Sequence, residues 1–328
     1  MNLCMVYNLK DSKLRPESYC SIFKEMFDAL ITQFNCRQFI TENCSAKDID
    51  ADLILFFDPH SSHHIEIEGI EKHQAIKIEY WNDVHQQEVK GIYQTTNQYV
   101  HKLGREQRAR RAEKRGINFI VCPVKYKFYE YFTPYFGSDT EKMLLYFPYA
   151  PAFERNLISF SDRKRVILGN GATWGGFNGG YDFRKWCFEQ PYIEFVEHHI
   201  RDKNTPKSQC YKMFLSQYVA ALALCTTFPV PKYYEIPASG CVTFAEYHKE
   251  YEELGFKDYE SCIYVNQKNF GARINEFLAD ILSFQKIADA GKKLIEENYT
   301  ARHFSDFLEK SIKDRKERGS HEEAFWQD

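Results

Sequence analysis

The chain has 328 residues, of which 44% are hydrophobic and 27% are charged, and its formal net charge is −3. A chain of this length is too long for one ordinary hydrophobic core, so we expect two domains of roughly 150 residues each. The small net charge excludes a protein that its overall field holds on nucleic acid or on an anionic membrane. The longest apolar run, 219–225, is far shorter than the roughly 20 residues that span a bilayer, so we expect no transmembrane segment.

The amino terminus and the cysteines bear on the cellular compartment in which we expect the protein. The first residues lack a basic stretch followed by an apolar one, so we expect no secretion signal. None of the 10 cysteines has C-x-x-C spacing, and several lie in apolar runs, as buried reduced thiols do. We therefore expect a cytoplasmic protein.

The first half of the chain alternates strand-like and helical patterns. After the first apolar run, large apolar residues recur over 19–34 at the i, i+3, i+4, i+7 spacing of a helix face. Such alternation predicts a parallel sheet covered by helices. The predicted strands are 3–7, 53–57, 76–81, 119–124 and 144–149.

The alternation stops in an aperiodic stretch after 146 and then resumes, which predicts a second parallel sheet. We expect an α/β protein with a Rossmann-like domain over 1–155, another over 156–300, and a helix with a polar tail over 301–328. Two such halves would face each other across a cleft, with ligands beyond the carboxyl ends of the strands. The predicted strands are 165–168, 192–196, 220–225, 241–244 and 262–265, and the predicted helices are 207–218, 270–287 and 301–313.

The segment 231–266 carries the clearest local signals. Lys232 and Glu235 are three residues apart, so on a helical turn they share one face. Gly240 directly precedes a predicted strand, so we expect it to end this helix in the left-handed conformation. By spacing alone, a surface Lys–Glu pair before a glycine cap explains the same pattern.

As a whole, this segment resembles the carboxyl-terminal domain of group 1 glycosyltransferases of the GT-B fold, particularly the branch similar to the spore-maturation CgeB proteins. The resemblance is good over the last third of the chain and holds only in outline elsewhere. It implies that the first domain binds the acceptor, that the second binds the donor, and that the carboxyl-terminal helix crosses back onto the first domain. It implies transfer of a sugar from a nucleotide-sugar, first of all a UDP-sugar, to a hydroxyl group with retention and without a bound metal or other cofactor. The matching residues are Lys232, Tyr233, Tyr234, Glu235, Ala238, Gly240, Glu253, Leu254, Gly255, Phe256, Asp258, Glu260, Tyr264 and Val265.

Carried over to this chain, the resemblance assigns roles to three residues of the segment. Glu235 matches the carboxylate that holds the donor's ribose, and Lys232 and Gly240 are assigned to donor binding with it. In many group 1 enzymes another Glu, eight positions earlier, touches the donor sugar. Thr227 occupies that position here, so the contacts to the sugar are left open.

A glycine-rich stretch follows the first strand of the second half. Backbone N–H groups of Gly169 and Gly171 can approach a phosphate closely, although this is not a Walker loop. At the same place the resembled family has an aromatic residue and an Arg that begins a helix, which Tyr181 and Arg184 match. The resemblance thus implies that Arg184 neutralises the donor diphosphate. A solvated Arg at a helix start is the alternative.

Polar residues follow two predicted strands of the first half. Asp83 and His85 are similar to a cleft-facing D-x-H motif of the family, which implies a catalytic role as base or polarising group. Ordinary loop polarity is the alternative. His60 and His63 lie in a cluster of His and Asp, which are zinc ligands. Since no second cluster has ligand spacing, we expect these two to line an acceptor site and no metal to be bound.

The stretch 101–116 is the one basic run. On a helix Arg108, Arg111 and Arg115 form one stripe, which favours either a solvated helix or a phosphate-contacting surface beside the acceptor. The second interpretation assigns Arg108 and Arg111 to acceptor binding, and it suits nucleic acid with a hydroxymethylated base or a phospholipid surface.

The acceptor thus stays open between a glycan, a lipid-linked glycan and DNA. A DNA-modifying glycosyltransferase is one alternative function, and a non-catalytic nucleotide-sugar or nucleic-acid binding protein is another, favoured by Thr227. A nicotinamide-dependent oxidoreductase is a third. The absence of a clean G-x-G-x-x-G followed by an acidic residue argues against it.

Overall fold

The computed structural model describes residues 1–8, 14, 21–57, 65–82, 84, 89–93, 98–152, 156–173, 181–196 and 208–325. The chain divides into two compact units, one formed by Met1–Ser12, Glu25–Pro148 and Ala301–Asp328 and the other by Lys13–Lys24 and Tyr149–Thr300. The boundary falls before Tyr149, earlier than expected, because the buried ring of Tyr149 packs on Tyr234 of the second unit.

The strands are numbered in chain order. They are β1 Leu3–Val6, β2 Gln38–Ile40, β3 Cys44–Ser45, β4 Leu53–Phe57, β5 Ile67–Glu68, β6 Ile76–Tyr80, β7 Val89–Tyr93, β8 Gln98–Lys102, β9 Phe119–Cys122, β10 Leu144–Tyr146, β11 Lys164–Asn170, β12 Ile193–Val196, β13 Tyr218–Ala223, β14 Val242–Ala245 and β15 Ile263–Tyr264.

The helices follow the same rule. They are α1 Ile22–Gln33, α2 Arg105–Arg115, α3 Lys125–Phe136, α4 Thr140–Met143, α5 Asp182–Phe188, α6 Ser208–Leu215, α7 Lys232–Ala238, α8 Lys249–Glu253, α9 Phe270–Ala279, α10 Gln285–Asn298 and α11 Ala301–Phe325.

The first unit contains a parallel sheet in the order β10-β9-β6-β4-β1-β2. Strands β1, β4 and β9 are continuous apolar runs because helices cover both faces of such a sheet, and every residue of β4 is buried. All five predicted strands of this half are present. Strand β2 was missed because its three residues are partly buried or exposed and form no apolar run.

The second unit contains a parallel sheet in the order β12-β11-β13-β14-β15. All five predicted strands of this half are present as well. The chain passes from β11 to β12 on one side and continues with β13 on the other side, so the strand order reverses at β11. The core beside this sheet contains Phe244 and Ile263 of the strands with Phe270, Ile274 and Phe277 of α9.

The predicted helix 270–287 is wrong as a single element, since the structure has two helices there. Helix α9 ends at Ala279, and the side chain of Asp280 accepts a hydrogen bond from the backbone N–H of Ser283, which begins a short 3₁₀ turn before α10. Aspartate side chains compete for backbone groups in this way. The apolar spacing runs through the break because Phe277, Phe284 and Ile287 all face one core.

The carboxyl-terminal helix α11 packs within the first unit. Phe304, Leu308 and Ile312 of α11 are fully buried, and the Phe304 ring lies 6.3 Å from that of Tyr80 and 5.6 Å from that of Phe147. The helix continues to Phe325, beyond the predicted end at 313. None of the helices in the described ranges combines the length and apolar character required to cross a membrane.

Candidate functional site

The candidate site lies at the carboxyl ends of β11 and β13. These strands flank the point where the strand order of the second sheet reverses. In open α/β sheets, ligands bind in the crevice beyond the strands at such a switch point. Of the residues assigned to donor binding, Gly171, Arg184 and Lys232 come together here.

Glycine is needed for different structural reasons at the two positions at the end of β11. Gly171 has φ +131°, and a Cβ there would lie 3.2 Å from Lys232 Cε and 3.6 Å from Arg184 Nη1. Its missing side chain therefore lets two cationic side chains lie against the backbone. A Cβ on Gly169 would lie 2.7 Å from Ile193 Cγ2 and 2.8 Å from Phe188 Cδ1, so close packing requires glycine there.

A buried polar network fixes Lys232, the first residue of α7. Its ammonium group donates to Asn170 Oδ1 at 3.0 Å and to the Tyr211 hydroxyl. The Tyr211 hydroxyl donates to Asn170 Oδ1 at 3.1 Å, and Asn170 Nδ2 donates to the Val196 carbonyl at 2.9 Å. Asn170 and Tyr211 are each 3% exposed. We call Lys232, Tyr211 and Asn170 the Lys232 network; it holds a positive charge beside Gly171.

Arg184 ties two loops of the site together. Its Nε donates at 2.7 Å to the Leu224 carbonyl, which also accepts from Nη2, and its Nη1 donates at 3.2 Å to the Ala172 carbonyl. Its guanidinium carbon lies 3.7 Å from the centre of the Tyr181 ring. Arg184 is buried, which contradicts the interpretation as a solvated side chain. Arg184 thereby holds Ala172, which follows Gly171, close to Leu224, which follows β13.

Helix α7 carries two further predicted residues. Glu235 lies on the first turn with Lys232 and is 4% exposed. Gly240 has φ +67°, its N–H donates to the Pro237 carbonyl at 2.8 Å, and the N–H of Cys241 donates to the Ile236 carbonyl at 3.4 Å. This pair of bonds is a Schellman motif, so the predicted left-handed cap is confirmed.

The position of Gly240 differs from that of Lys232. The Gly240 carbonyl accepts a 2.6 Å hydrogen bond from Nη1 of the buried Arg163, which directly precedes β11. Gly171 instead directly follows β11. Gly240 therefore lies at the amino-terminal edge of the sheet, opposite the edge that holds the Lys232 network. This geometry gives Gly240 a structural role as a cap.

Sequence reasoning missed four polar residues of this edge. Asn170 stands between the two noted glycines, and Tyr211 lies in a helix whose polar face gave no motif. Glu246 follows β14, and its Oε1 accepts a 3.0 Å hydrogen bond from the Thr226 hydroxyl. Burial raises the pKa of Glu246, against the smaller effects of the Thr226 hydrogen bond and the positive charge of Arg184. A charged residue two positions after a predicted buried strand was the available signal.

Arg108, Arg111 and Arg115 of α2 are turned inward, so the predicted exposed stripe is wrong. Arg108 is 0% exposed and donates from Nη1 to the Asn82 carbonyl at 2.7 Å, which contradicts its predicted contact with an acceptor. Arg111 forms an ion pair with Glu79, which is itself 0% exposed. Arg115 lies 3.7 Å from the same carboxylate and donates to the Ile65 carbonyl. A carboxylate buried in β6 draws the guanidinium groups in, since a buried charge requires a partner.

The residues predicted to face the sugar and the acceptor lie outside the described residues. These are Asp83, His85, His60 and His63. Their roles, and that of Arg111 in acceptor binding, stay predictions.

Comparison with known proteins gives a fold but no close relative. No protein-family model matches the chain, and no curated protein matches it. Anabaena Alr3699/HepE, solved in complex with UDP, matches with a TM-score of 0.56 and 10% identity over 96% of this chain and 100% of that one. An alpha-glucosyltransferase, solved with UDP and a 13-mer DNA, matches with a TM-score of 0.54 and 12% identity over 96% of this chain and 99% of that one.

A third protein matches over a smaller share of its length. The pneumococcal O-GlcNAc transferase GtfA gives a TM-score of 0.45 and 10% identity over 80% of this chain, which spans 56% of the GtfA chain. The likeness to the first two proteins shows the fold, and the expected α/β architecture of the GT-B type is confirmed.

Proposed function

We propose that the protein transfers a sugar from a nucleotide-sugar donor to a hydroxyl group of an acceptor. The bond between the anomeric carbon and the diphosphate oxygen breaks, and the acceptor oxygen bonds to the anomeric carbon. The acceptor hydroxyl loses its proton, and a nucleoside diphosphate leaves. The observation that carries this proposal is the Lys232 network beside Gly171, at the switch point of the second sheet in a chain of GT-B fold.

The position of Lys232 favours a binding role over a structural one. A cation at a helix amino terminus is unfavourable, because that end of the helix already carries partial positive charge. Here Asn170 and Tyr211 hold the ammonium group in place nevertheless. A diphosphate beside Gly171 would be attracted by this ammonium group, and the charge that develops on it as the sugar leaves would be stabilised.

Glu235 supports the nucleotide part of the proposal. It lies one turn from Lys232 on α7 and is almost fully buried. A carboxylate is an acceptor for two neighbouring hydroxyl groups, as ribose presents them. Because HepE is solved with UDP and with UDP-glucose, we propose a UDP-sugar as the donor to be tested first.

The remaining parts of the function are proposed as the sequence predicts them. The acceptor is a saccharide or a lipid-linked glycan, since the inward orientation of Arg108 and Arg115 removes the main argument for nucleic acid. Transfer retains the configuration and requires no bound metal, with Asp83 or His85 at the reacting carbon. The cytoplasm is the proposed compartment, since the cysteines with described side chains are free and mostly buried.

A thermal-shift panel of UDP, GDP, ADP and their sugars, with NAD as the control, tests the proposal. A ligand at a hundred times its Kd adds about 2.7 kcal/mol to the free energy of unfolding, which raises Tm visibly. We expect a shift with one nucleotide class that is unchanged in EDTA, nearly lost in Lys232→Met and reduced in Glu235→Gln. Lys286→Met, an exposed lysine of α10, is the control and should keep it. The proposal is contradicted if NAD alone shifts Tm, or if none of the nucleotides shifts it.

A further inference from the structure

Glu246 stands at the same edge of the sheet as the Lys232 network. It directly follows β14, which pairs with β13 through Ala245 and Ala223. Its backbone N–H donates to the Ala223 carbonyl at 3.2 Å. Glu246 is thereby fixed next to Leu224, the residue whose carbonyl accepts from Arg184.

The carboxylate of Glu246 is only partly used by the protein. The Thr226 hydroxyl and the backbone N–H of Cys225 both lower its pKa, against the larger effect of burial. Oε1 accepts the hydrogen bond from Thr226, whereas Oε2 is buried and has no hydrogen-bond partner among the described residues. Glu246 also forms no ion pair within the described part of the chain. Buried polar atoms are nearly always hydrogen-bonded, so each exception requires an explanation. A carboxylate kept in this state costs stability, which favours a partner outside the protein.

Arg184 connects this carboxylate with the diphosphate position. It is near enough for its positive charge to lower the pKa of Glu246, yet its nitrogens donate to the carbonyls of Leu224 and Ala172. Ala172 follows Gly171, and Leu224 precedes the loop that holds Thr226. The guanidinium group of Arg184 therefore lies between the loop beside Lys232 and the loop beside Glu246.

We propose that Glu246 binds a hydroxyl group of the sugar carried by the donor, through Oε2. The inference rests on the proposed function, because the Lys232 network sets where the diphosphate lies. A carboxylate accepts hydrogen bonds and donates none, so its partner is a donor such as a hydroxyl group, and phosphate oxygens are excluded by their charge. The sugar is the part of the donor that follows the diphosphate.

Glu246→Gln tests the inference by calorimetric titration of the full chain with UDP and with UDP-glucose. Glutamine keeps the shape of the side chain but replaces a charged acceptor oxygen. We expect about a tenfold loss of affinity for UDP-glucose, as for a hydrogen bond to a charged group, and an unchanged affinity for UDP. Glu276→Gln is the matched control, because Glu276 of α9 also accepts a hydrogen bond from a hydroxyl group, that of Tyr259. It should change neither affinity.

The stability of the ligand-free protein gives a second measurement. Burial raises the pKa of Glu246, so its contribution to stability is full at low pH and is lost as the pH rises through that pKa. The charged group that acts on Glu246 is Arg184, and the titratable groups on which Glu246 acts are the neutral side chains of Cys187 and Tyr233, whose pKa values it raises. We expect Glu246→Gln to have a higher Tm than wild type at pH 8 and a smaller advantage at pH 5. A lower Tm at pH 8 would indicate a structural role.

The outcomes separate the two proposals. Equal losses for UDP and UDP-glucose, or no loss for either, overturn the role of Glu246 and leave the proposed function standing. If wild type binds neither UDP nor UDP-glucose nor any other nucleotide of the panel, the proposed function fails and this inference with it. If Glu246→Gln does not fold, Glu246→Asp, which withdraws the carboxylate from the sugar, should show the same selective loss.

Discussion

At the scale of single residues, the orientation of Lys232 is decided by a chain of hydrogen bonds in which each group donates to the next. The amide nitrogen of Asn170 is committed to the Val196 carbonyl, so Oδ1 of Asn170 faces Lys232 and Tyr211. The Tyr211 hydroxyl donates to that oxygen and accepts from Lys232. Each group thus fixes the next. Tyr211 and Asn170 act as positioning residues for the charge that meets the diphosphate.

Tyr211→Phe removes the hydroxyl group from this chain and keeps the ring, which packs on Phe214. We expect the affinity for UDP to fall several-fold, up to about tenfold, because Lys232 loses one of its anchors, and the affinity for uridine to stay the same. Combined with Lys232→Met, the change should add nothing further, since it acts through Lys232. Calorimetric titration measures all three.

Tyr299→Phe is the control for this variant, because the Tyr299 hydroxyl donates to the Leu254 carbonyl at 2.8 Å. It removes a comparable hydrogen bond and should leave UDP binding intact. Additive losses in the double variant of Tyr211 and Lys232, or weaker uridine binding in Tyr211→Phe, would refute the positioning role.

At the scale of elements, helix α7 shows how a short helix serves two edges of a sheet. It has seven residues, begins with Lys232 at the carboxyl-terminal edge and ends at Ala238 before the Gly240 cap. The Arg163 guanidinium binds the Gly240 carbonyl and so holds that end. The cap therefore positions Lys232 and Glu235 indirectly, by fixing where the helix ends.

Gly240→Ala should destabilise the protein by about 1 kcal/mol or more, because alanine is strained at positive φ. The new Cβ would also lie 3.1 Å from Arg163 Nη2. Gly271→Ala is the matched control, since Gly271 lies inside α9 and a Cβ there meets nothing within 4 Å. That change should stabilise by roughly 0.5–1 kcal/mol through helix propensity. Urea unfolding measures both, and equal effects of one sign would contradict the assignment of Gly240 as a left-handed cap.

Helix α2 makes the corresponding point in the first unit. Its sequence is strongly basic, yet Arg108 and Arg115 are buried and the ion pair with Glu79 attaches the helix to β6. Long side chains can bury their stems and still satisfy their charged ends. A basic run in the sequence therefore shows only how many charges the helix carries. The buried carboxylate on the sheet decides which of those charges point inward.

At the scale of the whole molecule, the described contacts group into two units, and the Lys232 network, Arg184, Glu235 and Glu246 all belong to the second. Amide hydrogen exchange should reflect this division. We expect saturating UDP to slow exchange mainly at 169–173, 224–227 and 232–239, because the proposed diphosphate and ribose contacts lie there.

NAD at the same concentration serves as the control in this experiment and should protect none of these segments. Protection by UDP that is confined to the first sheet, with none at the three segments, would show that the donor site has been placed on the wrong unit.

The sequence by itself determined the two parallel sheets, the amphipathic helices and the cap at Gly240. These features follow from local rules: strands buried on both faces are apolar runs, helix faces repeat every three or four residues, and a left-handed cap favours glycine. The resemblance to group 1 glycosyltransferases assigned Arg184 and Lys232 to the same donor site as Gly171, and the structure brings these three residues together.

Only the tertiary structure decided which side chains meet. Asn170, Tyr211 and Lys232 lie far apart in the chain. They touch because α6 and α7 pack on each other and on β13, which is the neighbour of β11 in the sheet. The same holds for Thr226 with Glu246 and for Glu79 with Arg111. Periodicity fixes the face on which a residue lies, but the order of the strands fixes its partner, and strand order depends on the packing of the whole unit.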